Sequence, residues 1–314
     1  MPVDFTIGAG EGGRLDRVLG ARFPGVGRRR WAALFADGAV SVDGARARKG
    51  DRVAAGARVT LREEPAVGEA LAPIPEPELA LDVLHADAHL VALAKPAGQP
   101  SHPLRPGETG TAANALVARF PECAGAGRDP REAGLVHRLD RGTSGVLVAA
   151  RHREAWDAVH RAFAAGEVDK RYLALVAGTA GRGACDAPLR QAGRRALLAQ
   201  PGHRGALAAS TSWHPIGEGP GVTLLAVEAA TGRMHQVRAH LAGCGAPLVG
   251  DSLYGGPAEI AVDGEAVAVP FPFLHAARIA LPGRDRGERL TIAAPLAAER
   301  AALLARLGIA VGGD

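Results

Sequence analysis

Residues 137–145, His-Arg-Leu-Asp-Arg-Gly-Thr-Ser-Gly, set one acid, Asp140, between Arg138 and Arg141 in a turn between apolar runs. Nearby cations favour the ionised carboxylate, which is a reagent for nucleophilic attack or proton removal. The plainer alternative is an ion pair that only pins the turn. Burying charge in an apolar sheet is costly unless the charge is used. A second stretch, residues 231–241, carries Arg233, His235, Arg238 and His240 behind a Thr-Gly start. Read as a helix, it puts Met234, Val237 and Leu241 on one face and His235 beside Arg238 on the next. Cationic and imidazole groups at a helix start suit an anion or an RNA backbone. A zinc site is not expected, because His235 and His240 have no third ligand at metal spacing. Tyr172, one of two tyrosines, follows Lys170 and Arg171 at the head of an apolar strand. An ordinary aromatic at a sheet edge would read the same.

These groups need elements to hold them. Gly134–Val136 and Val146–Ala150 read as buried strands around the acidic turn. Residues 79–87 and 89–96 read as a hairpin, 111–120 as a helix, and 121–133 as a Gly/Pro-rich loop. Residues 153–166 give an amphipathic helix with Trp156, Val159 and Phe163 inward and Gly166 past its end. Strands follow at 171–178, 210–217, 222–230, 274–281 and 289–295, with helices over 233–243 and 296–308. Strand runs joined by hairpins, with a few helices among them, predict an α+β domain on a mixed, mainly antiparallel sheet.

Net charge is concentrated at the start of the chain. Residues 1–65 carry 12 Lys and Arg against 8 Asp and Glu, whereas the rest balances at 25 of each. That stretch reads as two short helices (Leu15, Val18, Leu19 and Phe23; then Trp31, Leu34 and Phe35) followed by a hairpin turning at Asp43-Gly44. Arg14, Arg17, Arg28, Arg29 and Arg30 lie on its helical part, either as a binding face for a polyanion or as a solvated surface. Residues 65–78 hold four prolines without periodicity and read as a linker. Gly8–Gly13 fits a dinucleotide fingerprint, but no βαβ pattern surrounds it and no nucleotide cofactor is expected. Cys123, Cys185 and Cys244, without a CxxC, suggest unpaired thiols in a reducing cytoplasm. No apolar run approaches a membrane span, and the first residues lack signal-peptide character.

Taken together, the motifs resemble the pseudouridine synthases of the RluA type. Residues 137–145 resemble that family's catalytic motif, 84–103 its opening hairpin and Lys-Pro-Ala-Gly loop, 170–178 its tyrosine strand, and 231–255 its long second signature. "LHAARIAL" followed by "AAPL" resembles its C-terminal closure, and the basic start resembles an alpha-L RNA-binding module. The resemblance implies a module over 1–64, a Pro-rich linker over 65–78 and a catalytic domain over 79–314.

It also implies the chemistry. Uridine becomes pseudouridine when the carbon–nitrogen glycosidic bond breaks, the uracil turns, and carbon 5 rejoins the sugar. Nothing is oxidised and no group donor takes part, so neither cofactor nor metal is expected. Asp140 would be the essential acid, attacking the anomeric carbon or removing the ribose 2′ proton. Arg238 would hold it ionised, and Tyr172 would stack on the uracil and help at carbon 5. Arg138 would enter the RNA in place of the flipped base, with Arg141, Arg233 and His235 as further RNA contacts. Leu139, Val146 and Leu274 would line a pocket that excludes water. Ribosomal RNA is the first expected partner and transfer RNA the second, for a monomeric cytoplasmic enzyme. Two other classes compete. A glycosidase-type hydrolase needs two carboxylates about the bond, and residues 231–241 offer bases instead. A non-catalytic RNA-binding assembly factor would leave Asp140 purely structural.

Overall fold

The computed structural model describes residues 2–23, 26–65, 72–283 and 287–310, without the side chains of Arg28 and Arg29. Its contacts form two compact units. The first spans the described residues up to Ala72, joined by Leu104–Gly107 and Asp129–Arg131; the second comprises the rest. Part of the expected linker, residues 66–71, lies outside the described residues, and 72–78 hold neither helix nor strand.

In the first unit, helices Leu15–Arg22 and Arg28–Ala36 pack Leu15, Leu19, Trp31, Leu34 and Phe35 against Val40, Val59 and Leu61. Asp43 and Gly44, with φ of 51° and 80°, form the turn between Val40–Val42 and Ala45–Arg46. Two positive φ values give the tight twist that a two-residue hairpin needs. The sequence reading omitted a strand, Val3–Thr6, which pairs antiparallel with Arg58–Leu61.

The second unit is built on a nine-stranded sheet. Its strands are β1 (Val83–Ala86), β2 (Leu90–Lys95), β3 (Ser144–Ala150), β4 (Asp169–Ala177), β5 (Gly183–Cys185), β6 (Thr211–Gly219), β7 (Val222–Ala229), β8 (Leu274–Pro282) and β9 (Arg289–Ala293). The order is β5-β6-β7-β4-β8-β3-β2-β1, with β9 beside β8. The pair β8–β3 is parallel, through His275 with Ser144 and Ala276 with Gly145. Its other described pairings are antiparallel.

Helices α1 (Ala112–Arg119), α2 (Arg153–Ala165), α3 (Gln236–Gly243) and α4 (Ala298–Arg306) cover the sheet. Successive strand residues point to opposite faces. Val91, Leu93 and Leu147 therefore meet Leu116 of α1, whereas Ala92, Val146 and Val148 meet Trp156 and Val159 of α2. Strands covered on both faces are apolar throughout rather than alternating. Val146 accordingly belongs to the α2 core and not to a pocket, contrary to its expected lining role. Gly134–Val136 is not a strand. Ala133 and Gly134 have φ of 46° and 74°, and the segment makes a single bridge, Leu135 to Ala149, along β3.

All three cysteines are free. Although 59 residues apart in sequence, Cys185 and Cys244 lie close enough that the neighbouring thiol, after burial, helps raise the pKa of Cys244. Among the described residues no helix is long and apolar enough to cross a membrane.

Candidate active site

The turn that carries Asp140 is shaped by close approach. The Thr143 N–H donates to the Asp140 carbonyl at 3.0 Å. A side chain at Gly142 would lie 2.7 Å from Pro272 Cδ, and one at Gly145 would lie 2.2 Å from the Ala276 carbonyl oxygen. The two glycines thus let the turn lie directly against the segment that enters β8. His137 is pinned beneath it, its Nε2 accepting the Val148 N–H at 3.1 Å. Burial, aided by the Lys170 charge, pushes His137 down to about 3, so its ring is neutral and structural.

Asp140 faces α3. Arg238 Nη1 donates to its Oδ2 at 3.1 Å. The remaining edge of that guanidinium belongs to Asp251, with Nε to Oδ2 at 2.7 Å and Nη2 to Oδ1 at 2.8 Å. Arg238 is 8% exposed and Asp251 1%. Burial opposes the charge on Arg238, but the hydrogen bonds and charges of Asp251 and Asp140 outweigh it and raise its pKa.

The helix starts later than its sequence suggests. His235 has φ of 53° and caps α3, so the helix begins at Gln236. This left-handed residue turns the imidazole back toward the acid, placing Nε2 3.8 Å from Asp140 Oδ2 and Nδ1 3.1 Å from the Tyr254 hydroxyl. Burial lowers the pKa of His235. Gln236 fixes the preceding loop. Its Oε1 accepts from the Thr231 hydroxyl and the Arg233 N–H, and its Nε2 donates to Ser210 O and Thr211 Oγ1. His240 points inward to Thr211 and the Ala187 carbonyl, so it is a core group rather than an anion contact.

A cavity opens over Asp140, lined by Arg138, Leu139, Thr143, Tyr172, Arg233, Met234, His235, Arg238 and Leu274. Tyr172 lies on β4, and burial together with the Asp140 charge pushes its phenol up to about 12. Among the described residues no group is hydrogen-bonded to its hydroxyl.

The structure thus gathers Asp140, Arg238, Tyr172, Arg138, Arg233, His235, Leu139 and Leu274 around one cavity. It does not bring Arg141 there: Arg141 Nε donates to the Gly98 carbonyl at 2.8 Å. Arg14 and Arg30 of the first unit pair with Asp16 and Glu63, and Arg17 is exposed. The side chains of Arg28 and Arg29 lie outside the described residues. Sequence reasoning missed Asp251 and Tyr254. The available signal was a lone acid in the apolar stretch Ala-Pro-Leu-Val-Gly-Asp, since a buried charge requires a partner.

A carboxylate held by one arginine over a half-buried tyrosine, on a mainly antiparallel sheet, defines a class that the comparisons identify. The family described as RNA pseudouridylate synthase matches residues 89–243. The chain belongs to this family, in its RluA-type branch, whose members are isomerases converting uridine to pseudouridine in RNA. The ribosomal large subunit pseudouridine synthase D of Pseudomonas aeruginosa is 35% identical over 303 residues, covering 94% of this chain and 91% of that protein. Its Xanthomonas campestris counterpart is 36% identical over 250 residues, covering 79% and 73%. The solved structure of human RNA pseudouridylate synthase domain containing 4 shares the fold, with a TM-score of 0.57 at 23% identity, covering 74% of this chain and 95% of that one.

Proposed function

We propose that this enzyme isomerises uridines of ribosomal large-subunit RNA, with Asp140 as the reacting carboxylate. The observation that carries the proposal is the Asp251–Arg238–Asp140 chain at the cavity. Asp251 occupies two guanidinium nitrogens, so Arg238 engages Asp140 through one nitrogen at Oδ2. Oδ1 is thereby left to the substrate, and the carboxylate is held ionised and aimed. It either attacks the anomeric carbon or takes the ribose 2′ proton to give a glycal. Both routes free the uracil to turn.

Tyr172 supplies a ring for the turning base to stack on and a protonated hydroxyl for it to meet. Exposed Arg138 at the cavity edge suits a side chain that fills the gap left by a flipped nucleotide. Arg233 and His235 line the same opening and would meet the RNA backbone. Arg141, held to Gly98, would stabilise the loop instead. The first unit, with its excess of arginine, would serve as an RNA-binding module joined through a linker over 65–78, adding affinity without chemistry.

The large-subunit assignment follows the names of the relatives from Pseudomonas aeruginosa and Xanthomonas campestris. Unmodified transcripts of large-subunit RNA and of transfer RNA, each incubated with the purified enzyme, test it by pseudouridine content. Pseudouridine is expected in the ribosomal transcript. Its formation in transfer RNA alone would move the substrate to that class.

A further inference from the structure

Outside the cavity lining, two buried basic side chains hold the same turn. Arg300, on α4, is 7% exposed. Its Nη1 donates to Ser144 Oγ at 3.2 Å and to the Leu274 carbonyl at 2.9 Å. Its Nη2 donates to the carbonyls of Gly142 at 3.4 Å and Pro272 at 2.9 Å. Lys95, at the end of β2 and 2% exposed, donates from Nζ to the carbonyls of Pro96, Gln99 and Arg141 at 2.9, 2.7 and 3.3 Å. The carbonyls of Arg141 and Gly142, the two residues that follow Asp140, are thus each taken by a different cation. Ser144 is fixed further, its hydroxyl at 2.9 Å from His275 Nδ1, while His275 Nε2 donates to the Ala294 carbonyl at 3.0 Å.

Among the described residues neither Arg300 nor Lys95 forms an ion pair. Burying an unpaired cation costs stability, and an apolar side chain in such a place is commonly neutral or better. Helix α4 does not need Arg300 for anchorage, because Leu304 and Leu307 already pack with Phe273 and Val249 in the core. Burial lowers Arg300 to about 10 and Lys95 to about 7, and the opposing influence on Lys95 is the negative charge of Asp140. The reacting acid is therefore the opposite charge that Lys95 senses, although they share no hydrogen bond.

We propose that Arg300, with Lys95 opposite it, is a positioning residue for the reaction, fixing the Asp140–Ser144 turn by its backbone so that the carboxylate stays in line with the sugar. Arg300 ties the turn to the entry of β8, and Lys95 ties it to the 96–99 loop. Between them the backbone that follows Asp140 is held at two successive carbonyls, Arg141 and Gly142. Displacing a reacting group by about 1 Å costs on the order of a hundredfold in rate. The proposal rests on Asp140 being the reacting carboxylate.

The test is single-turnover conversion of substrate RNA with enzyme in excess, reading the rate constant separately from the converted fraction, alongside RNA affinity by filter binding. Arg300→Gln is expected to lower the rate constant by about 10- to 100-fold with affinity within about twofold of wild type. Arg300→Lys, which keeps the charge but reaches fewer of the four acceptors, is expected to fall between the two. A purely structural role would lower the melting temperature and the converted fraction but not the rate constant. A wild-type rate constant in Arg300→Gln overturns the proposal, and if that variant does not fold, a wild-type rate constant in Arg300→Lys does so. Asp140→Asn, assayed in parallel, separates the two levels. Activity there removes the assignment of Asp140, whereas inactivity there with wild-type rate constants at position 300 removes only the role of Arg300.

Discussion

Asp251 grips Arg238 by two guanidinium nitrogens and leaves the third, Nη1, to Asp140 at 3.1 Å. An arginine facing a lone carboxylate tends to take it with two parallel hydrogen bonds. Here the fork is spent on the buried Asp251, and Asp140 is held through one oxygen.

Removing Asp251 therefore has two expected effects. Asp251→Asn leaves a buried guanidinium short of its counter-charge, at a cost of about 3–5 kcal/mol of stability. It also frees Arg238 to close on both oxygens of Asp140, lowering the single-turnover rate by about a hundredfold or more. Urea unfolding and the rate constant of the folded fraction check both. Wild-type turnover in Asp251→Asn would show that Arg238 needs no second acid.

Tyr172→Phe separates ring from hydroxyl. The ring remains to stack, so RNA affinity is expected to hold, while loss of the hydroxyl that faces the cavity slows conversion by about 10- to 100-fold. Equal rates in the two proteins would reduce Tyr172 to a platform.

Much of this site was legible in sequence because its chemistry is local. His137–Gly145 compresses the acid and the two glycines that let its turn approach β8 into nine residues, and the apolar runs declared strands wherever both faces are covered. What failed was set by backbone conformation or by distant partners. Positive φ at Ala133 and Gly134 broke an apparent strand, and the left-handed His235 moved the start of α3 and turned its imidazole to the acid. Proximity in sequence offers Asp140 the neighbours Arg138 and Arg141 as counter-charges. Arg238, the partner 98 positions on that the structure gives it, was expected only from the family resemblance, while Arg141 turns to Gly98. Arg300 approaches from further still, and no periodicity announces a guanidinium buried against carbonyls.

Stability should fall in acid through the histidines. Burial lowers His137 to about 3 and shifts His240 and His275 the same way. In the unfolded chain imidazoles bind protons near about pH 6.5. Between those values the unfolded state holds more protons, so stability present above about pH 6.5 is lost as the pH falls toward 3. The urea midpoint is expected to drop from pH 7.5 to pH 5, and less steeply in His137→Gln. A midpoint that does not move would contradict the neutral buried rings.

The first unit should govern affinity rather than chemistry. Deleting residues 1–65 is expected to weaken binding to structured RNA and flatten its dependence on salt, with conversion of a minimal stem-loop retained. A folded truncation inactive on the minimal substrate would place part of the reaction in that unit.

The most direct measurement is a pseudouridine map of total RNA from cells carrying the wild-type gene, a deletion, or Asp140→Asn at matched protein levels. Sites lost on deletion are expected to be absent with Asp140→Asn as well, and to lie in large-subunit ribosomal RNA. Sites that vanish on deletion yet persist with Asp140→Asn would contradict the central claim, because the reaction would then run without this carboxylate.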